Sequence, residues 1–214
     1  GFTGIALMAS VDVLVEEGEF SVVAIGTPEL LDRLELDAAS TLLTVGMSGN
    51  WSFKNGQEVT VKVRLPKLDQ LIVQGSGDIN VAPLTRSQSL DLTVMGSGDI
   101  HLTGTGNLGY LAINVAGSGD VVCGQVVSQS TVINVTGSAV SWSGNGNMVG
   151  NFTNASWRSR VIWNFAEAST INFGSHNMMG AVLAPYAHVT TSANIDGSVA
   201  VRALTTTSEI HQPT

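Results

Sequence analysis

A short motif recurs about every 21 residues in the middle of the chain, a period within the range that repeat proteins use. It reads QGSGDIN at 74–80, MGSGDIH at 95–101 and AGSGDVV at 116–122, and a fainter copy, TGSAVSW, begins at Thr136. In repeat architectures each repeat packs on its neighbours. No other feature of the sequence restricts the fold so strongly.

Apolar residues precede each copy at two positions that are two residues apart. This spacing is typical of a strand with one buried face. Strands stacked at the usual spacing of about 4.8 Å would align these positions into buried columns. The sequence therefore predicts an all-β fold, a β-solenoid with coils of ~21 residues. The two columns are Leu71, Leu92, Ile113 and Ile133, and Val73, Val94, Val115 and Val135.

The repeated aspartates are predicted to build a structural turn ladder at one corner of the coils. Stacked carboxylates repel each other by about 0.9 kcal/mol per neighbouring pair in water. A carboxylate that accepts a backbone N–H bond gains about 1.5–3 kcal/mol, which outweighs that repulsion. No metal is therefore required, and a weak cation site is the alternative. The predicted ladder consists of Gly75, Gly77, Asp78, Gly96, Gly98, Asp99, Gly117, Gly119 and Asp120.

Residues 1–70 are less regular and are predicted to form a β cap and the first coils. Five stretches alternate in the manner of strands. TPELLDRL at 27–34 predicts a short helix, with Thr27 as the N-cap and Pro28 at the first helical position. Regular coils at 71–130 and C-terminal coils at 131–214 would complete one continuous solenoid. The five stretches are VDVLVEE (11–17), FSVVAI (20–25), LELDA (34–38), TLLTV (41–45) and EVTVKVRLP (58–66).

Two families are similar to parts of this sequence. GFTGI (1–5), PELLDRLEL (28–36) and the LIVQGSGDI and LTVMGSGDI repeats resemble the head-GIN domain over residues 1–123. That resemblance implies a bacterial β-helical adhesin.

The remainder, 131–211, resembles the C-terminal half of the choice-of-anchor A domain. The resemblance implies a secreted or surface-attached protein, and neither family supplies a catalytic motif to carry over. The matching segments are TVINVTG (131–137), VIWNFAEAST (161–170), GAVLAPYAHV (180–189), NIDGSVAVRALT (194–205) and EIH (209–211).

Charge and cysteine content exclude several classes of protein. The formal net charge is −8, and no Lys or Arg occurs between Arg86 and Arg158, so no basic groove for nucleic acid can form there. The single cysteine, Cys123, excludes an internal disulfide scaffold. No apolar run approaches the ~18 residues of a membrane span. No cofactor is predicted.

The histidines His101, His176, His188 and His211 fall in no metal-ligand spacing. Glu209 and His211 lie two residues apart, which predicts a hydrogen-bonded pair that fixes the C-terminal strand; one corner of a site is the alternative. Asp196 is interpreted as a turn aspartate before Gly197. Cys123 falls in an inward column and is expected to be inert.

Three sequons, at Asn134, Asn151 and Asn154, are candidate glycosylation sites in a eukaryotic secretory host. An ice-binding face would need flat columns of threonine. The outward positions Ile72, Thr93 and Asn114 are too mixed for that.

These observations predict a non-enzymatic extracellular or cell-surface protein, either an adhesion module or the subunit of a surface filament or coat. Its partners would be copies of itself or extracellular matrix and glycan ligands. The alternative is a carbohydrate-binding or carbohydrate-active solenoid that acts on a polysaccharide. Residues 121–157 contain no charged side chain, which argues against an active site on that tract.

Overall fold

The computed structural model describes residues 1–38, 41–49, 58–142 and 155–212. These residues are mostly β strand, which confirms the all-β class. Only two helices occur among the described residues, α1 (Pro28–Leu31) and α2 (Ala155–Arg158). The chain divides into two compact units, Gly1–Ser128 and Gln129–Thr214.

The first unit confirms all five strands expected near the N-terminus and the short helix. Thr27 stands at the N-cap and Pro28 begins α1, although the Thr27 side chain makes no capping hydrogen bond. The strands are β1 (Gly4–Leu7), β2 (Asp12–Glu17), β3 (Ser21–Ile25), β4 (Leu34–Asp37), β5 (Leu42–Met47), β6 (Thr60–Leu65), β7 (Gln70–Val73), β8 (Ile79–Val81), β9 (Ser89–Val94) and β10 (Ile100–Val115). A further strand, β11 (Val121–Val135), contains the last residues of this unit and the first of the second.

Parallel pairing in the first unit follows the period of the motif. Leu71 of β7 lies opposite Leu92 of β9, which lies opposite Ile113 of β10. On the other side of the motif, Ile79 of β8 lies opposite Ile100 of β10. The repeats therefore hydrogen-bond to one another in register.

The parallel stack also includes β1 and β2, which are distant in the sequence. Ile5 of β1 lies opposite Leu71, and Val13 of β2 lies opposite Ile79. Both pairs have the same large offset in sequence, which shows that the intervening segment is an insertion between one layer and the next. The period of the motif does not connect these layers, so sequence periodicity could not reveal them.

The inward columns are buried as predicted in the first two copies, at Leu71, Val73, Leu92 and Val94, whereas Ile113, Val115, Ile133 and Val135 of the later copies are only half-buried. Leu71, Val73, Ile79 and Val94 are completely inaccessible to solvent, whereas the outward Ile72 is half-buried. Burial of each such side chain contributes about 1.5–3 kcal/mol. The apolar interior of this unit is thus built directly from the period-two pattern.

Antiparallel strands are added to the parallel layers near the N-terminus. β5 and β6 pair in parallel with β1 and β2, while β3 pairs antiparallel with β6 and β4 pairs antiparallel with β5. The sheet is consequently mixed. The apolar side chains of β3 remain largely exposed, Val23 and Ile25 at 50% each.

The second unit is also built from parallel pairs, but its spacing is not constant. Val182 lies opposite Val199, and Ile195 lies opposite Ile210. Both offsets are shorter than that between Leu71 and Leu92, and they differ from each other. The constant rhythm expected from the repeats is therefore wrong for this unit. Its strands are β12 (Ala139–Ser141), β13 (Val161–Asn164), β14 (Thr170–Gly174), β15 (Met178–Met179), β16 (Ala181–Thr191), β17 (Ile195–Asp196), β18 (Val199–Thr206) and β19 (Ile210–His211).

Aromatic rings fill the interior of the second unit. The ring of Trp142 lies edge-on to Phe173 at 5.4 Å and to Phe165 at 6.0 Å between centroids. Phe165 and Phe173 are fully buried. Edge-to-face pairs add about 0.5–1.5 kcal/mol beyond the area that they bury.

Candidate functional site

The glycines of the repeated motif are required by close approach of the neighbouring layer. A Cβ atom built on Gly98 would lie 2.0 Å from the carbonyl oxygen of Gly77, and one on Gly119 would lie 2.1 Å from that of Gly98. The first glycine of each copy meets the same obstacle, at 2.0–2.1 Å. None of these six glycines, all within the described residues, has a left-handed φ. Their role is steric: only hydrogen fits where one layer rests on another.

The aspartates form a ladder of hydrogen bonds between layers. The Asp99 backbone N–H donates to Oδ1 of Asp78 at 2.8 Å, and the Asp120 N–H donates to Oδ1 of Asp99 at 2.8 Å. Each carboxylate thus accepts from the layer that follows it. Charge-assisted bonds of this kind are worth about 1.5–3 kcal/mol each.

A fourth rung lies at Asp12, which the sequence interpretation missed. The Asp78 backbone N–H donates to Oδ1 of Asp12 at 3.1 Å. The segment ASVD at 9–12 occupies the place of GSGD at 75–78, since Cβ atoms built on Gly75 and Gly77 would meet the backbone of Ala9 and Val11. The Ser-x-Asp spacing that the two segments share was the available signal.

His101 lies beside this ladder. One ligand atom from each of Asp78, Asp99 and His101 lies within 4.8 Å of the other two. His101 Nε2 and Asp99 Oδ2 are 3.8 Å apart, beyond hydrogen-bonding distance. All three residues are half-buried. Sequence spacing could not find this group because Asp78 and His101 belong to different copies of the repeat.

A carboxylate outside the ladder, Glu17, binds the turn at residues 85–87. It accepts backbone N–H bonds from Thr85 at 2.7 Å, Arg86 at 2.9 Å and Ser87 at 2.9 Å. The hydroxyl groups of Thr85 and Ser87 donate to it as well, both at 2.8 Å. Partial burial acts to raise the pKa of Glu17, but these donors together outweigh it and lower the pKa. The sequence interpretation did not identify this contact.

Four charged side chains meet in the second unit around Asp196. Asp196 Oδ2 lies 2.7 Å from Arg158 Nη1, and its Oδ1 lies 3.0 Å from His211 Nδ1. His211 Nε2 lies 2.7 Å from Glu209 Oε2, so the expected Glu209–His211 hydrogen bond is present. Asp196 is the last residue of β17 and stands directly before the bend at Gly197, as expected, and its carboxylate also pairs with Arg158 and His211.

Both ring nitrogens of His211 face carboxylates. Carboxylates accept only, so both nitrogens must carry protons for both bonds to form. The hydrogen bond to Glu209, followed by that to Asp196, raises the pKa of His211. The cluster therefore favours the imidazolium form.

Three other candidate residues, Cys123, His176 and His188, are partly buried or hydrogen-bonded within the fold. Burial raises the pKa of the half-buried Cys123 thiol to about 11, which is consistent with an inert thiol. His176 Nδ1 is 3.0 Å from the carbonyl oxygen of Phe173, and His188 Nε2 is 2.8 Å from Thr205 Oγ1.

Of the candidate glycosylation sites, only Asn134 can be located. Its Oδ1 accepts a 2.8 Å hydrogen bond from Asn164 Nδ2, and the side chain is half-buried. Asn151 and Asn154 lie outside the described residues. Neither helix of the described segments has the length and apolar character needed to cross a membrane.

Three solved structures share this fold over nearly their whole length. A "putative adhesin" from Parabacteroides merdae ATCC 43184 is 17% identical with a TM-score of 0.59, covering 99% of this chain and 92% of that one. A "putative lipid binding protein" from Parabacteroides distasonis ATCC 8503 is 15% identical with a TM-score of 0.59, covering 98% and 89%. A "putative adhesin" from Bacteroides fragilis NCTC 9343 is 12% identical with a TM-score of 0.53, covering 98% and 91%. At these identities the likeness concerns the fold.

No curated protein matches the chain. Two family models do, and each covers more than half of it. Residues 1–143 match the family described as "Putative auto-transporter adhesin, head GIN domain", and residues 98–212 match the "Putative Ice-binding-like adhesive domain". The chain therefore belongs to the head GIN domain family, and its C-terminal part belongs to the Ice-binding-like adhesive domain family.

Proposed function

We propose that this chain is a non-enzymatic adhesion module of a bacterial cell surface. The observation that carries the proposal is that both matching families are adhesive and together span residues 1–212. The filament subunit, the second form of the hypothesis, would use the same surfaces for contacts between copies of the chain.

The β-solenoid is the scaffold that we propose for this function. Support comes from parallel layers that repeat with the period of the motif and from the hydrogen bonds that connect Asp12, Asp78, Asp99 and Asp120. Layers fastened by backbone pairing and by a side-chain ladder resist bending and leave few backbone groups open to proteases. Such a scaffold would keep a binding surface in a fixed shape.

Besides the acidic side chains that give the chain its formal net charge of −8, the first unit exposes uncharged side chains that a partner could contact. Met95, Tyr110 and Val122 are between 41% and 49% exposed and carry no charge. Contacts through uncharged groups are little affected by ionic strength, because salt screens only charge interactions. We therefore expect adhesion that persists at high salt, to glycans or matrix proteins of low charge.

The filament version is supported by β3. Val23 and Ile25 are half exposed on a strand whose only pairing among the described residues is with β6. Exposed apolar edge strands add further strands readily. Concentration-dependent fibres in electron microscopy, abolished by Val23→Lys and retained in Leu183→Lys on β16, would favour this version. Dispersed particles at every concentration would favour the displayed adhesin.

The test of adhesion is binding of the folded chain to arrays of immobilised glycans and matrix proteins at ~0.15 M and, about sevenfold higher, ~1 M salt. The expected result is saturable binding to at least one ligand that changes less than about threefold between the two salt concentrations. The heat-unfolded chain serves as the control. Binding that disappears at high salt, or no saturable binding on either array, would contradict the proposal.

The resemblance of residues 131–211 to choice-of-anchor A domains suggests surface attachment of the mature protein. We propose an extracellular location on this basis, together with glycosylation at Asn134 where a eukaryotic host secretes the chain. Mass spectrometry of the Asn134 peptide from such a host would test the modification.

The carbohydrate-active alternative is favoured by one observation, the grouping of Arg158, Asp196, Glu209 and His211. Grouped carboxylates beside a basic residue are the side chains that polysaccharide lyases and hydrolases generally use. This alternative predicts new reducing or unsaturated ends from acidic polysaccharides, lost in Asp196→Asn. A broad panel that yields none would eliminate it.

A further inference from the structure

We propose that Asp78, Asp99 and His101 bind one divalent transition-metal ion of the Zn²⁺ class. The site lies at the corner of the repeats in the first unit, where the three side chains bring their ligand atoms within 4.8 Å of one another. It is independent of the adhesion function and goes beyond the structural role predicted for the aspartates.

The ladder orients both carboxylates before any ion arrives. Oδ1 of Asp78 and Oδ1 of Asp99 are each fixed by a backbone N–H of the following layer, at 2.8 Å. The second oxygen of each carboxylate has no hydrogen-bond partner among the described residues. Ligands held in this way lose little further freedom on binding, which favours affinity.

The gap between Asp99 and His101 is wide for a direct contact and suits a shared ion. Their ligand atoms, Oδ2 and Nε2, are 3.8 Å apart. Two ligands bound tetrahedrally at about 2.0–2.1 Å stand roughly 3.3 Å apart, so small side-chain rotations bring them onto one ion. A hydrogen bond would require a closer approach, and none forms here.

The charges around the site also favour a cation. Asp78 and Asp99 stack on adjacent layers, and no Lys or Arg of the described residues forms an ion pair with either of them. A divalent ion would neutralise both carboxylates. The attraction of each carboxylate to the ion would then outweigh the repulsion between the two carboxylates.

The donor set selects the class of metal and the stoichiometry. Two carboxylates with an imidazole suit Zn²⁺ and its neighbours, whereas Ca²⁺ prefers six to eight oxygens. The imidazole occurs in only one layer: Asn80 lies opposite His101, and Val122 stands one period later. One ion per chain is therefore expected, rather than a row along the ladder.

The test is isothermal titration of the untagged chain with zinc chloride, with calcium chloride in parallel. We expect one Zn²⁺ per chain and, in His101→Ala, an affinity at least about tenfold lower, since even groups behind a metal ligand cost about 10–100-fold. His101→Ala leaves the ladder carboxylates in place, and its circular dichroism should match the parent. The matched control is His188→Ala, which removes an exposed histidine that contacts Thr205.

Any of three results of the zinc titrations would overturn the site: no Zn²⁺ binding by the parent, equal binding by His101→Ala, or equal losses in both histidine variants. Ca²⁺ binding as tight as Zn²⁺ binding and insensitive to His101→Ala would also overturn it, because it would identify a purely acidic edge. Substitution with Co²⁺ gives an independent reading. A visible absorption band that the parent shows and His101→Ala lacks would place the imidazole on the ion.

Discussion

Replacement of Gly98 by alanine tests the close stacking of the layers directly. The added Cβ would lie 2.0 Å from the carbonyl oxygen of Gly77 and 2.8 Å from its carbonyl carbon, whereas an ordinary contact is about 3.5 Å. Both near atoms are backbone and cannot rotate away. The layers at this corner must therefore separate by roughly 1.5 Å.

Separation on that scale breaks the hydrogen bonds that cross the corner. Ser97 N–H and Gly98 N–H donate to the Gly75 carbonyl at 3.1 and 3.3 Å, and Asp99 N–H donates to the Asp78 carboxylate at 2.8 Å. Two neutral bonds at about 0.5–1.5 kcal/mol and one charge-assisted bond at about 1.5–3 kcal/mol would be lost. Alanine also reduces the conformational entropy of the unfolded chain, which stabilises the folded state by about 0.4–1 kcal/mol and offsets part of this loss. The expected net destabilisation is about 2–5 kcal/mol.

The matched control is Gly46→Ala on β5. A Cβ there would lie 3.9 Å from the Glu35 Cβ, which is an ordinary contact, so the change should stay within about 1 kcal/mol. Urea denaturation gives the free energy of unfolding. Because two compact units need not unfold together, hydrogen exchange of amides 97–99 measures the corner itself. If Gly98→Ala and Gly46→Ala agree within about 0.5 kcal/mol and amides 97–99 keep their protection, the steric reasoning is wrong.

Three further predictions concern the charged side chains. Asp99→Ala should lower the free energy of unfolding by about 1.5–3 kcal/mol, whereas Asp91→Ala, on an exposed position of β9, should stay within about 0.5 kcal/mol in the same urea assay. Glu17→Gln should destabilise the chain near neutral pH. The Glu17 contribution should be present above its ordinary pKa and lost as pH falls through the lowered pKa, so parent and variant should converge in acid denaturation profiles. The His211 contribution should be complete below its ordinary pKa and lost as pH rises through the raised value. The His211 ring proton should titrate at higher pH in the parent than in Asp196→Asn by NMR, and equal titration would refute the pairing.

Much of the first unit could be predicted because its pattern is local. The period-two alternation around Leu71 and Val73 fixes which face is buried, and the period of the motif fixes which strands pair. Strand identity near the N-terminus followed from the same alternation. These signals depend on neighbours within a few residues or one repeat.

The remainder depends on contacts that no period marks. Glu17 reaches a turn 68 residues away, and Asp196 meets Arg158 from 38 residues away. In the second unit the offset between paired strands shortens from the Val182–Val199 pair to the Ile195–Ile210 pair, so no constant spacing aligns the strands. Residues that meet only through such irregular layers have no constant spacing in the sequence, so their contacts could not be predicted from it.

The two repeated features of the motif report on different neighbours. A glycine such as Gly75 is required by the layer beneath it, since its missing Cβ faces Ala9. The aspartate instead accepts a hydrogen bond from the layer above, as Asp12 does from Asp78. ASVD at 9–12 has the aspartate without the glycines, and it is the first rung of the ladder among the described residues. Gly137 of the faint fourth copy has a left-handed φ of 120°, so glycine is favoured there by the backbone conformation and not by a neighbouring layer. The glycines therefore identify the layer that precedes them and the aspartates identify the layer that follows, even where a long segment of chain separates the two layers.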